Sequence, residues 1–239
     1  MPFITDLSDP VFYPDKVKQV VASGEKGIFI TKDPKKLFEI MSGVESDLWK
    51  KNVLIEATVT GLGGTAWEPN VPDYKTSISG MEDFVRIGAK VVLRYDPIIP
   101  NINSSLAEIS KILEAASEIG VRHVTTSVVD LYPHSAKRIK NAGLELPFLG
   151  FKYYNASTLI YAFSQVAQTL GIAMRVCCEQ GWSCGDYGCD WPDLIFTENE
   201  LAMFIPSNAR PGCHCPKFRQ LLTYADKCYH GCLYCYRKT

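Results

Sequence analysis

The chain has 239 residues, room for about one or two domains of roughly 100–200 residues each, or for one barrel-sized domain. Apolar residues make up 46% and charged residues 21%, which excludes a disordered, collagen-like or small disulfide-stapled chain. A formal net charge of −1 gives no overall attraction to nucleic acid or anionic membrane, so any such partner must be met by a local patch.

In chain order, residues 2–5 read as a first short strand, and Pro14-Asp15 open a helix over 14–22. A strand over 27–31 is followed by a helix over 34–42, opened by Asp33-Pro34. A strand over 53–60 leads to the glycine-rich 61–65, which lacks G-x-G-x-x-G and the P-loop Lys-Ser/Thr and is therefore expected to be a mobile rim loop, not a phosphate cradle. A helix over 80–88 precedes the strand over 90–98. Leu106, Ile109, Ile112, Leu113, Ala116 and Ile119 then recur at three- and four-residue steps, predicting a helix over 105–119 with a Ser105/Glu108 capping box and a Gly120 stop. A strand over 123–130, a helix over 156–170 and a strand over 172–176 complete the regular pattern.

Strands alternating with helices predict βα units around a parallel sheet, and runs such as Val91-Val92-Leu93 predict strands covered on both faces. Beyond 176 the chain is rich in Gly, Trp, Pro and Cys, a long irregular stretch of the kind that carries function. A last strand is expected over 221–225. No run of about 18 apolar residues is present and the N-terminus lacks the basic-then-apolar design of a signal peptide, so a cytoplasmic protein without membrane contact is expected.

All nine cysteines lie between Cys177 and Cys235. In a reducing compartment such clustering suggests metal or redox chemistry before disulfides. Cys228, Cys232 and Cys235 have the spacing C-x3-C-x2-C. Three thiolates on a tight loop can hold three irons of a cubane cluster and leave the fourth open. The alternative is a structural zinc site, completed by His230 or an upstream cysteine.

C-x3-C-x2-C with an aromatic before the last cysteine resembles the cluster motif of radical S-adenosylmethionine (SAM) enzymes, and Cys232-Leu233-Tyr234-Cys235-Tyr236 is especially similar to the spore photoproduct lyase branch. The tail from Cys213-His214-Cys215 through Tyr236 also resembles the DUF1848 family, which ends in a C-x-C followed by this motif. Residues 5–10, 29–32 and 94–100 resemble segments that follow the second, third and fifth strands of the lyase branch. The cysteine loop normally follows the first barrel strand and here follows the last. The resemblance therefore implies a partial parallel (β/α) barrel of TIM type, circularly permuted, with 1–176 as its main part and the Cys-rich 177–239 contributing the final strand. Only four residues follow Cys235, so the helix that normally follows the cluster loop is not accounted for, and a gap in the barrel or an incomplete chain is expected.

The resemblance implies a 4Fe-4S cluster on Cys228, Cys232 and Cys235, SAM on its open iron, reductive cleavage of SAM, and hydrogen abstraction from a substrate the motif does not specify. It implies an electron donor such as flavodoxin or ferredoxin. Lys32 resembles a family lysine that meets the SAM carboxylate, and Tyr234 a family aromatic that packs near SAM; a solvated charge is the other reading of Lys32. Thr58 and Thr60 are candidates for the SAM amino or ribose groups, or packing residues. Arg94 is a candidate carboxylate partner, or is internally paired with Asp96 or Glu56. Asp6 and Asp9 are weaker candidates, and Glu68-Pro69 is expected to border the substrate. Cys178, Cys189, Cys213 and Cys215 match the DUF1848 pattern and suit a second iron–sulfur cluster or zinc. Cys177 and Cys184 remain as structural thiols.

Arg210, Lys217, Arg219, Lys227, Arg237 and Lys238, interleaved with aromatics, suit single-stranded or flipped nucleic acid, or merely offset thiolate charge. The rival to an enzyme is a non-enzymatic zinc- or iron–sulfur-binding barrel that contacts nucleic acid or a protein partner. A degenerate protein that holds the cluster without SAM is the third class.

Overall fold

The computed structural model describes residues 1–146, 153–179, 181–207 and 213–238. Arg210 of the basic tail lies outside them. Seven parallel strands form one sheet: β1 (Phe3–Ile4), β2 (Gly27–Thr31), β3 (Val53–Thr58), β4 (Lys90–Ile98), β5 (His123–Val128), β6 (Ala173–Val176) and β7 (Arg219–Gln220). Their spatial order is β6-β5-β4-β3-β2-β1-β7, so each of the first six sits beside its predecessor and β7 sits beside β1. β6 and β7 are the two edges, and among the described residues no strand pairing joins them.

The helices are α1 (Pro14–Ser23), α2 (Pro34–Ser42), α3 (Trp49–Asn52), α4 (Tyr74–Arg86), α5 (Leu106–Glu118), α6 (Pro133–Asn141), α7 (Tyr153–Thr169) and α8 (Glu198–Leu201). Local chemistry explains their starts. Asp33 caps α2 by accepting from Lys36 N, Asp73 caps α4 by accepting from Lys75 N and Thr76 N, and Ser105 caps α5 by accepting from Glu108 N. None of the helices described is long and apolar enough to cross a membrane.

Strand parity divides the sheet into two faces. Phe3, Phe29, Ile55, Ala57, Val91, Leu93 and Tyr95 pack against the helices, including Val17 and Val20 of α1, Leu37 and Met41 of α2, Phe84 of α4, Ile112 of α5 and Phe163 of α7. Each such full burial contributes about 1.5–3 kcal/mol. On the other face Ile4, Ile28, Leu54 and Val92 pack under a plug drawn from the Cys-rich segment: Trp191, Ile195, Phe196, Leu201 and Phe218. Both faces are covered, which is why the strands read as continuous apolar runs.

Sequence expectations shift most at the last strand, α4 and α6; the short α3 and α8 were not expected either, and β3 and β5 each stop two residues early. The last strand is Arg219–Gln220, not 221–225: Arg219 N and Leu221 N bond Pro2 O and Ile4 O, and then the Asp226 carboxylate takes Thr223 N, turning the chain away. α4 begins at Tyr74, six residues before 80, because Asp73 starts a polar first turn. α6 was not expected from the pattern and rests on Pro133 at its N-terminus.

Candidate functional site

The tail loop lies at the C-terminal end of β7 and is stitched to the rest of the chain by backbone carbonyls. Arg138 on α6 donates from its guanidinium to the carbonyls of Leu233 (3.2 Å), Arg237 (2.9 Å) and Cys235. Arg237 donates to the carbonyls of Asp226 (2.7 Å), Tyr224 (2.9 Å) and Leu7. Leu233 N bonds Trp67 O, and Asn70 Nδ2 donates to Tyr229 O. Within the rim loop over 61–65 Gly61, Gly64 and Thr65 are exposed, while Leu62 is buried and, with Trp67, packs beside Cys232 and Tyr234. Gly63 allows this, since a Cβ there would lie 1.8 Å from Pro72 O.

Lys32 follows β2 directly and points along the same rim. Its ammonium donates to Glu68 Oε1 at 2.7 Å and to the Tyr234 hydroxyl at 2.8 Å, while the Tyr234 hydroxyl also donates to Glu68 Oε1. Thr60 Oγ1 donates to Glu68 Oε2 at 2.8 Å. Glu68 is 1% exposed and is therefore the buried centre of the group. Burial disfavours both charges, yet mutual attraction outweighs it: Lys32 holds its proton more tightly than usual, helped by Glu68 and Cys232, and Glu68 ionises below the usual carboxylate range. An ammonium has three donors, so among the described residues one N–H of Lys32 remains for a ligand.

Burial pushes the Cys232 thiol up to about 12, opposed by Lys32 and reinforced by Glu68, Cys235 and Cys228. Burial also raises Cys228. His230, inside the loop, spends one ring nitrogen on Asp9 Oδ2 at 2.7 Å and the other on Asn70 O at 3.1 Å. It therefore does not complete a zinc site with the three thiols. Asp9 also accepts from Lys32 N, Thr31 Oγ1 and Val11 N, and despite burial these partners, His230 foremost, hold its carboxyl below the usual range. Asp9 thus caps the short turn at Pro10–Phe12 and also anchors the cysteine loop through His230.

Arg94 lies deeper, on the plug face of β4. Its Nη1 donates to Glu56 Oε2 (2.6 Å) and Asp190 Oδ1 (2.8 Å), and its Nη2 to Asp96 Oδ2 (2.7 Å), which in turn takes Ser127 Oγ on Oδ1 (2.5 Å). One guanidinium thus faces three carboxylates. Burial, partly opposed by Arg94 and reinforced by Asp190, raises Glu56 to about 8, so this site keeps a proton at neutral pH. Glu56 Oε1 is buried and has no hydrogen-bond partner among the described residues. The internal pairing of Arg94 is the reading the structure realises; Thr58 ends β3, buried, one rim position above Glu56.

A second thiol group lies beside Arg94. Cys184, Cys189 and Cys215 are buried together, with Cys177 and Cys213 packed on them. Cys189, Asp190 and Cys215 have ligand atoms within 4.8 Å of one another, the one such set among the described residues, and are able to hold a metal ion. Of the four cysteines expected here, Cys189, Cys213 and Cys215 come together; Cys178, at a φ of 55°, is not among the thiols packed in the group, and Cys177 and Cys184 are. Two cations of the basic tail are spent internally: Arg219 pairs with Glu25 at 2.6 Å and Arg237 serves carbonyls.

No curated protein matches the chain significantly. The model of a family described as a domain of unknown function, DUF1848, matches residues 7–237, nearly the whole sequence, and the chain belongs to the DUF1848 family.

Proposed function

We propose that this chain is a radical SAM-type enzyme built on a permuted, partial (β/α) barrel, with Cys228, Cys232 and Cys235 holding a 4Fe-4S cluster. The observation that carries the reading is the position of the cysteine loop: it follows β7, which neighbours β1, and lies against Lys32 at the end of β2. In a barrel counted from β7, the loop then follows the first strand, where the resemblance wants it.

The donor set fits such a cluster. Three thiols lie on one loop, the loop histidine is engaged elsewhere, and the three sulfurs do not all come within 4.8 Å of each other, as a single ion would require. In a cubane each thiolate binds its own iron, which spaces the sulfurs more widely. The raised proton affinities of Cys228 and Cys232 favour their neutral thiol forms in the empty loop, so a cluster would enter with loss of protons from them.

When bound, the cluster supplies the electron for reductive cleavage of SAM and, through it, hydrogen abstraction from a substrate. The protein's own residues bind and orient. Lys32 offers its remaining N–H to a ligand carboxylate and offsets the negative cluster. Glu68 and Thr60 fix Lys32 in place, and Tyr234 shields the ammonium from water. Arg94 acts at one remove, by ordering the carboxylates of Glu56, Asp96 and Asp190 beneath the rim. Electrons would come from a flavodoxin- or ferredoxin-like donor.

The test is iron, sulfide and zinc analysis of anaerobically purified protein, with electron paramagnetic resonance of the reduced form before and after adding SAM. About four tail-dependent irons and a spectrum that SAM shifts are expected. Zinc at the tail without sulfide would overturn the reading.

A further inference from the structure

Residues 221–238 contain no helix or strand, so no regular ladder takes up the carbonyls of the tail loop and side chains bond several of them instead. One turn of α6 does this for the limb that leaves the loop. The Arg138 guanidinium spends a different nitrogen on each of three carbonyls: Nε on Leu233 at 3.2 Å, Nη1 on Arg237 at 2.9 Å and Nη2 on Cys235. One turn earlier, His134 Nε2 donates to the carbonyl of Tyr236 at 2.7 Å. Positions 134 and 138 share a helix face, and both reach the segment that carries the last cysteine of the C-x3-C-x2-C motif.

The rest of α6 sets this face against the loop. Ile139 is fully buried and belongs to the cluster of Leu62, Trp67, Cys232 and Tyr234. Arg237 extends the contacts: its carbonyl accepts from Arg138, and its own guanidinium donates to the carbonyls of Tyr224 and Asp226, on the limb that enters the loop. The two arginines thus brace both limbs in series. A lysine, with one nitrogen to place, could not serve three separate carbonyls. Carbonyls are neutral partners, so these contacts cancel neither guanidinium charge.

We infer that Arg138 is a positioning residue for the tail cluster: it fixes the Cys235 limb through three carbonyls and lends that limb a positive charge that eases reduction. This rests on the reading of the tail as a cluster loop. Reduction adds one electron to the cluster and makes it more negative, and a fixed cation a few bonds from one of its thiolates favours that state. Arg138 touches neither substrate nor SAM in this role; it acts through Cys235.

The test compares the full chain with Arg138→Gln, Arg138→Lys and a control on the same helix, Lys137→Gln, whose side chain is exposed. In iron-free protein under anaerobic reducing conditions, alkylation of Cys235 read by mass spectrometry should rise at least about tenfold relative to Cys178 in both Arg138 variants, and stay unchanged in the control. Should Arg138→Gln fail to fold by circular dichroism, Arg138→Lys carries this measurement. In protein reconstituted with iron and sulfide, Arg138→Gln should shift the ratio of reduced to oxidised cluster about tenfold toward oxidised at a given potential, a fall of about 59 mV for one electron, while Arg138→Lys holds the potential. Unchanged alkylation of Cys235, or a loaded cluster whose potential Arg138→Gln leaves in place, overturns the inference. An unmodified tail that takes up no iron and sulfide overturns the cluster reading instead, and alkylation of the iron-free chain then decides whether Arg138 anchors the limb.

Discussion

The two thiol groups share one sheet and face opposite charge. Cys232 looks toward the ammonium of Lys32, which lowers its proton affinity against the pull of burial. Hydrogen bonding with Cys177 and Cys215, then burial, raise the proton affinity of Cys189, and the Asp190 carboxylate it looks toward raises it further. A group with a built-in cation accommodates a cofactor of net negative charge, whereas a group flanked by carboxylates is balanced by a positive ion. Spacing differs too: the three tail sulfurs are not all within 4.8 Å of one another, whereas those of Cys189 and Cys215 stand 3.4 Å apart.

The sharpest way to break this contrast is Cys232→Ala. It should abolish iron loading at the tail and SAM cleavage while leaving the circular dichroism of the fold and the inner metal content unchanged; retained SAM cleavage would remove the tail from the mechanism. Lys32→Ala comes next. It strands the carboxylate of Glu68, 1% exposed, and should cost about 3–5 kcal/mol in denaturant unfolding, with Glu68→Gln in the same chain recovering part of it. SAM binding by the folded protein should weaken by about 1.5–3 kcal/mol, the loss of a charge-assisted hydrogen bond, measured by calorimetry.

A third variant addresses the inner group. Glu56 rises from 4.5 to about 8, so between those pH values the folded chain binds a proton that the unfolded chain has lost, and stability falls as pH rises through the window. Glu56→Gln should flatten that part of the stability–pH profile, and an unchanged slope would assign it to another group. The smallest effect is expected of Arg86→Ala, which removes exposed pairs with Glu82 and Asp83 on α4. It should shift stability by under about 0.5 kcal/mol and alter neither metal content.

Much of this architecture is legible in the sequence. β2 and β4 match their expected bounds because each is a β-branched run bounded by turn residues, and α5 announces itself through its capping box and apolar stripe. α4 and α6 are less visible, since their first turns are polar and propensity gives no apolar stripe to follow. The cysteine loop was readable from spacing alone, but its environment was not. Glu68 was visible only as a border residue, and its role as the shared partner of Lys32, Tyr234 and Thr60 depends on contacts across 36, 166 and 8 positions. The exchange of Cys178 for Cys177 in the packed group has a local cause: Cys177 continues the line of β6, its N–H bonding Thr126 O, whereas the chain turns at Cys178 with a φ of 55°.

Chain order gives the rim a timetable. Glu68 and Tyr234 are 166 positions apart, and at about 5–20 residues per second the ribosome makes the second roughly 8–33 s after the first. Over that interval Lys32 and Glu68 wait at the edge of a sheet that still lacks β7, Arg138 has no tail carbonyls to grip, and Asp9 has no imidazole. The cysteine loop therefore docks onto a nearly finished scaffold late in biosynthesis, and on the proposed function any iron reaches it after synthesis, so nascent chains stalled before Cys228 should be recovered folded over much of the sheet and free of tail iron.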